Sequence, residues 1–311
     1  MAFVVSSLTD YVNEHKSDLL AAAVIAFKSS KYMQLMPGVK GATTLNLLST
    51  PAVFQSGNDC GFNASGNVTF TQRTLTPGVI KVNENFCPKA LRTKYMQSEV
   101  LIGAGRDKMP FEEKITSELV ANIGAAMEVA FWQGDTVSGT GNNAFFNGLS
   151  TIIDADAAAS PAVIPAANQF TAESSDTVFD RMKTLVQNVP DALGNKMVFF
   201  MNCANFRKLA MLIMSANLYH YQRDLDSNDM EMIFPGTDIK VVGVPGLTGI
   251  DKIYGLNTEE VYYGFDAEDD VENFKFWFSD DDDVFKFKMQ WLAGVQYAFP
   301  NNVLVGKPYS A

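Results

Sequence analysis

Residues 280–283 are four consecutive aspartates, and Asp266, Glu268, Asp269, Asp270 and Glu272 lie shortly before them. Such a density of carboxylates can hold a hard cation or supply a general acid and base. Calcium takes six to eight oxygen ligands, but the alternate-acid spacing, the glycine and the terminal glutamate of an EF-hand loop are all missing. Consecutive side chains also point to opposite sides of an extended backbone, so four aspartates in a row rarely converge on one ion. Nothing around them marks a pocket that would raise a carboxyl pKa. A solvated turn is the stronger reading, with Asp280, Asp281, Asp282 and Asp283 kept as weak metal candidates. A metal-dependent hydrolase built on that cluster is the enzymatic alternative.

Other chemistry is sparse. His15 and His220 are isolated, too few for a histidine-rich metal site. Cys60, Cys87 and Cys203 have no paired spacing, which speaks against a zinc site or disulfide framework and fits a reducing compartment. Nucleophile-elbow, zinc-protease and P-loop patterns are absent. Gly103-Ala-Gly105 precedes a helix but is not followed by a phosphate-binding fingerprint. No catalytic residue and no cofactor are expected.

The elements that carry the aspartates are more informative than the aspartates. On either side, "FKFWFS" and "VFKFKMQ" alternate with the period of a strand, so 273–279 and 284–291 are expected to form a hairpin. Phe274, Phe276 and Phe278 fall on one face, with Phe285, Phe287 and Met289 on the matching face opposite. Lys275, Lys286 and Lys288 fall on the other side. The aspartates then occupy the turn, whose backbone Asp tolerates well.

With 311 residues, 47% of them hydrophobic and 12% aromatic, the chain can bury a substantial core. Only 19% of residues are charged, which suits a subunit with much of its surface against partners. The net charge of −11 is uneven: residues 1–110 hold 11 Lys/Arg against 7 Asp/Glu, and the rest hold 13 against 28. An acidic body argues against tight nucleic-acid binding. The apolar run at 19–27 is too short to span a bilayer and has acidic residues before it, so no membrane segment or signal peptide is expected.

Residues 110–132, "PFEEKITSELVANIGAAMEVAFW", read as a long helix. Pro110 suits its first position, Glu112 and Glu113 favour its N-terminus, and Gly134 is placed to end it. Ile115, Leu119, Ile123, Met127 and Phe131 form one apolar stripe. At 1.5 Å per residue it would run about 34 Å. A second helix is expected over 175–189. "KMVFFMN", 196–202, reads as a buried strand, followed by a helix and short strands. Residues 51–75 carry little charge. "NVTFTQRTL" and "GVIKVNENF" read as two strands joined at Thr76-Pro77-Gly78, an arm needing a surface supplied from elsewhere. The order of elements is α+β.

"EEKITSELVANIGAAMEVAFWQGDTVSGTGNNAFFNGLSTI", 112–152, resembles the long spine helix and following loop of the Hong Kong 97-like major capsid proteins of tailed double-stranded DNA phages. "KMVFFMNCANFRKLAMLI", 196–213, is similar to the start of that family's axial domain, and "DIKVVGVPGL" and "GVQYAFPNNVLVG" resemble its later strands. The resemblance implies an N-terminal arm over 1–50, an extended β-hairpin loop over 51–95, and a peripheral domain over 96–195 with its spine helix at 110–132. It further implies an axial domain over 196–265, a peripheral-domain hairpin over 266–292, and a C-terminal strand, 293–311, returning to the axial domain. The implied function is structural: hexamers and pentamers closing into an icosahedral shell around double-stranded DNA, assembled in a bacterial cytoplasm. An encapsulin-like compartment holding enzyme cargo is the alternative within the same fold.

The implied partners are other copies of the chain, portal and scaffolding proteins, a decoration protein, and DNA bound without sequence preference. With the arm beginning near Met1, a separate scaffolding protein is expected. Arg73, Lys81, Lys89, Glu112, Glu113 and Asp280–Asp283 are the residues expected at contacts between copies. Some members of the family cross-link an arm lysine to a neighbour's asparagine. Lys81 and Lys89 lie near the arm, but no acceptor or assisting acid matches, so no cross-link is expected. An acidic inner face would repel DNA phosphates.

Overall fold

The computed structural model describes residues 24–25, 27–49, 53–54, 69–87, 111–191, 193–216, 230–266, 275–282 and 284–308. One sheet is organised around a long strand, β12 (Val284–Tyr297). Its inward residues Phe285, Phe287, Met289 and Trp291 are buried, while Lys286, Lys288 and Gln290 between them are half-exposed. This is the alternation of a strand with one face on a core. Along one edge of β12 lies β4 (Gly78–Phe86), paired antiparallel from Ala293↔Gly78 to Phe285↔Phe86. Along the other edge, β11 (Lys275–Ser279) pairs with its first half and β10 (Val261–Asp266) with its second. β1 (Gln34–Pro37) adds to β10 in parallel.

A six-stranded sheet is ordered β5-β13-β9-β6-β8-β7, with β5 Gln169–Thr171, β13 Leu304–Lys307, β9 Ile253–Asn257, β6 Met197–Asn202, β8 Lys240–Val244 and β7 Glu231–Ile233. β6 is buried at every position because both of its faces are covered. Val198 and Phe200 join the core beneath the long helix. Met197, Phe199 and Met201 face a second core under α3 (Val178–Gln187) and α4 (Cys203–Ser215). α3 starts on a capping box, in which the Thr177 hydroxyl and the Asp180 carboxylate satisfy each other's backbone N–H.

The long helix, α1 (Phe111–Gln133), and α2 (Leu149–Ala158) lie over the first core. Ile123, Met127 and Phe131 of the expected stripe are buried, and Leu119 is half-buried. α1 ends at Gln133 as expected, but Gly134 is not a left-handed cap. A side chain there would strike the Phe146 carbonyl at 2.3 Å, because the loop returns and the Gly148 N–H donates to the Gly134 carbonyl at 2.8 Å.

Two expectations about pairing are corrected. The strands β3 (Thr69–Leu75) and β4 form on either side of Thr76-Pro77, yet they do not make a hairpin with each other. β3 pairs antiparallel with β2 (Thr43–Ser49), across the 1–50 boundary of the expected arm, and β4 is absorbed into the β12 sheet. The second correction concerns grouping. α3 and β5, expected with the long helix within 96–195, pack on and pair with the six-stranded sheet. β10, expected within 196–265, pairs with β12 instead. No described helix is long and apolar enough to cross a membrane.

Candidate assembly surface

The hairpin forms in the expected register, Phe276 opposite Phe287 and Phe278 opposite Phe285, the latter rings in edge contact at 5.2 Å. Burial of this apolar face fixes the register, since a one-residue slip would turn every phenylalanine outward. Asp280 and Asp281 are exposed in the turn, and Asp283 lies outside the described residues. Asp282 accepts hydrogen bonds from Lys286 Nζ, four residues on, and from the Ser279 hydroxyl at 3.3 Å. The Lys286 hydrogen bond and charge, with the Ser279 hydrogen bond, hold its carboxyl below the usual value. Asp280 and Asp281 are thus exposed to water, and Asp282 is held by its own hairpin. No group of three or more Asp, Glu, His or Cys among the described residues is arranged to hold a metal ion.

The other surface feature is the β2–β3 ribbon. Leu45 and Leu47 are buried along one face of it, the face that Leu75 also shares, but on the other face Leu48 is 54% exposed, and Phe70 directly opposite is 75% exposed. Phe54, just beyond, is 97% exposed. An apolar cross-strand pair left in water on the outer face of a two-stranded ribbon is not stabilised by that exposure. Across the molecule, β4 pairs with β12 alone among the described strands. Its second edge borders a groove of about 360 Å³ against α1, lined by Ile80, Val82, Leu119, Ile123, Met127 and Trp291.

The residues expected at contacts between copies are placed unequally. Lys81 is exposed on β4, opposite Gln290. Glu112 and Glu113 sit in the first turn of α1, with their side chains outside the described residues, as is all of Lys89. Arg73 is held inside its own chain. Its guanidinium donates to Asp156 Oδ2 at 2.5 Å and to Gln296 Oε1 at 3.1 Å, and lies 4.2 Å from the centre of the Tyr297 ring. It fastens the base of the ribbon to α2 and β12. His15 and His220 lie outside the described residues, as does Cys60.

A buried group was missed. Glu128, only 3% exposed, accepts from the Ser29 N–H at 2.9 Å and the Ser29 hydroxyl at 2.7 Å. That hydroxyl in turn accepts from Trp132 Nε1 at 2.7 Å. Burial pushes its carboxyl pKa up, opposed by the Ser29 hydrogen bonds, a backbone hydrogen bond from Gly246 and the Lys28 charge. The available signal was a lone acid between Met127 and Phe131-Trp132, where the helix is otherwise apolar. It ties the segment before β1 to α1.

No known family profile matches the chain, and no curated protein matches it in sequence. Solved structures do match. A protein of the satellite phage P4 procapsid superposes with a TM-score of 0.59 at 10% identity, covering 100% of this chain and 92% of that one. A protein of the empty GTA particle capsid gives 0.56 at 10% identity, covering 93% and 90%. The chain has a phage-capsid fold. A holo-SrpI encapsulin from Synechococcus elongatus shares this fold, with a TM-score of 0.54 at 8% identity over 89% and 85% of the two chains. In this chain α1 and the β12 sheet share one continuous core with one face of the six-stranded sheet, and α3 and α4 cover that sheet's other face.

Proposed function

We propose that this chain is a major capsid protein whose copies assemble as hexamers and pentamers into an icosahedral shell around double-stranded DNA. The observation that carries the reading is coverage: about nine-tenths or more of both chains align with phage-procapsid and GTA-capsid structures, so the likeness embraces the whole of this chain's fold. The exposed Leu48–Phe70 ribbon supports it, since a neighbouring copy would supply the surface these side chains lack. In this reading the β12 sheet and α1 form the peripheral domain, and the six-stranded sheet with α3 and α4 forms the axial domain. The role is structural. Portal, scaffolding and decoration proteins would be its partners in the virion.

Negative-stain microscopy of the purified chain tests this directly. Closed shells, or capsomer rings, are expected; a protein that stays monomeric at high concentration, with and without a scaffolding protein, would overturn it. The encapsulin match favours one second reading, a compartment for protein cargo. Nuclease-protected DNA within particles from infected or lysogenic cells separates the two.

A further inference from the structure

The outward face of the β11–β12 hairpin continues onto β4 and carries an unusual set of neighbours. Lys275 stands directly opposite Lys288, Trp277 opposite Lys286, Asn83 opposite Lys288, and Lys81 opposite Gln290. Directly opposed side chains on a sheet lie about 5 Å apart at Cβ, where like charges destabilise the pairing. Only Lys286 has an acidic partner, Asp282; Lys275, Lys288 and Lys81 make no ion pair among the described residues. Trp277 lies among them 39% exposed. A chain of net charge −11 therefore gathers lysines on one face of this sheet, without an ion pair for three of them among the described residues.

The same hairpin ends in exposed acids. Asp280 and Asp281 are exposed in the turn and make no ion pair among the described residues. At about 3.3 Å per residue, that turn is roughly 15 Å from Lys275 and Lys288. A rigid strand cannot fold back over this distance, so a chain's tip cannot reach these two lysines of its own. Its reach ends at Lys286. We propose that the lysine face, Lys275 and Lys288 flanked by Lys81, receives the Asp280–Asp281 tip of a second copy of the chain. The contact rests on the assembly reading above and specifies one of its interfaces. A narrow acidic knuckle fits two opposed lysines without crossing other acids. A nucleic-acid backbone laid along the same face would run its phosphates past the aspartates at the turn. A tip-to-face contact is heterologous, the kind that forms a ring where its rotation closes.

Full-length protein carrying Lys275→Glu/Lys288→Glu, or separately Asp280→Lys/Asp281→Lys, tests the pairing. Assembly is read by light scattering and microscopy, and folding by the melting temperature from circular dichroism. Each reversal is expected to lower the yield of particles at least tenfold at about 0.15 M salt, where charges within a Debye length of roughly 8 Å still interact. The chain with all four substitutions should recover assembly, because its tip and face are complementary again. The neutral pair Lys275→Gln/Lys288→Gln should fall between, and serves if a reversal unfolds. Reversed variants that assemble as the parent does, or a four-fold variant that melts normally yet stays unassembled, overturn the contact while leaving the capsid reading intact. So does a parent that binds a short DNA duplex through these lysines while the reversals leave assembly unchanged. A parent that never assembles defeats the capsid reading and this contact together.

Discussion

Glu128 is the residue on which the interior of the long helix depends most sharply. A carboxyl 3% exposed is tolerated because Ser29 offers it both an N–H and an O–H and the Ser29 hydroxyl is itself held by Trp132. Removing it with Glu128→Ala leaves those donors without acceptors in an apolar surround, at a cost of about 3 kcal/mol. Glu128→Gln keeps the shape and one acceptor and should cost less, about 1 kcal/mol at neutral pH. The pH dependence has a definite sign. Burial raises the folded pKa above the ordinary 4.5, so the folded state holds the proton to higher pH than the unfolded chain does. The resulting contribution is fully present below pH 4.5 and is lost as pH rises through the folded value. Urea unfolding across that window should therefore show a fall in stability in the parent that is absent in Glu128→Gln. An equal slope in both proteins would mean that Glu128 is not the titrating group.

At the scale of elements, the loop after α1 is closed by backbone touching backbone. A Cβ on Gly148 would sit 2.5 Å from both the Gly134 nitrogen and the Trp132 carbonyl oxygen, neither of which can swing aside. Gly148→Ala should thus destabilise by about 3 kcal/mol through forced separation of the loop neck. Gly41→Ala, where a Cβ meets nothing within 4 Å, is the control and should be near neutral in the same denaturation experiment. The need for glycine at 134 could be read from the sequence as a helix stop, but not its cause, because the clash comes from residues that return in space. The same division runs through the fold. α1, β6 and the 275–288 hairpin were legible since their periods of 3.6 and 2 are local. The partners of β3 and β4 were not, because a turn between two strands says nothing about a third strand that competes for each edge. The partners of Arg73 were illegible for the same reason: an arginine on a ribbon of little charge shows no partner until Asp156 and Gln296 are brought beside it.

For the molecule as a whole, the ribbon separates what the chain does for its own stability from what it does for a neighbour. Leu75, Leu45 and Leu47 are buried along one face of the ribbon and Arg73 fastens it to α2 and β12, so that face belongs to the fold. Leu48, about half exposed, and Phe70, three-quarters exposed, leave most of their apolar surface in water in the isolated chain. If copies assemble, removing the exposed part of each Leu48 and Phe70 from water contributes roughly 1–2 kcal/mol per side chain to the contact. Leu48→Ser/Phe70→Ser should therefore leave the unfolding midpoint of the unassembled protein within about 0.5 kcal/mol of the parent, as surface substitutions do. The same pair should lower the yield of shells or capsomers by a large factor, because the loss repeats at every copy. Sedimentation of matched concentrations measures the second effect and urea unfolding the first. A variant that loses stability without losing assembly would place these side chains in the core of the fold. One that changes neither would assign the ribbon no part in joining copies, and the shell would then have to be held by the sheet and helix faces alone.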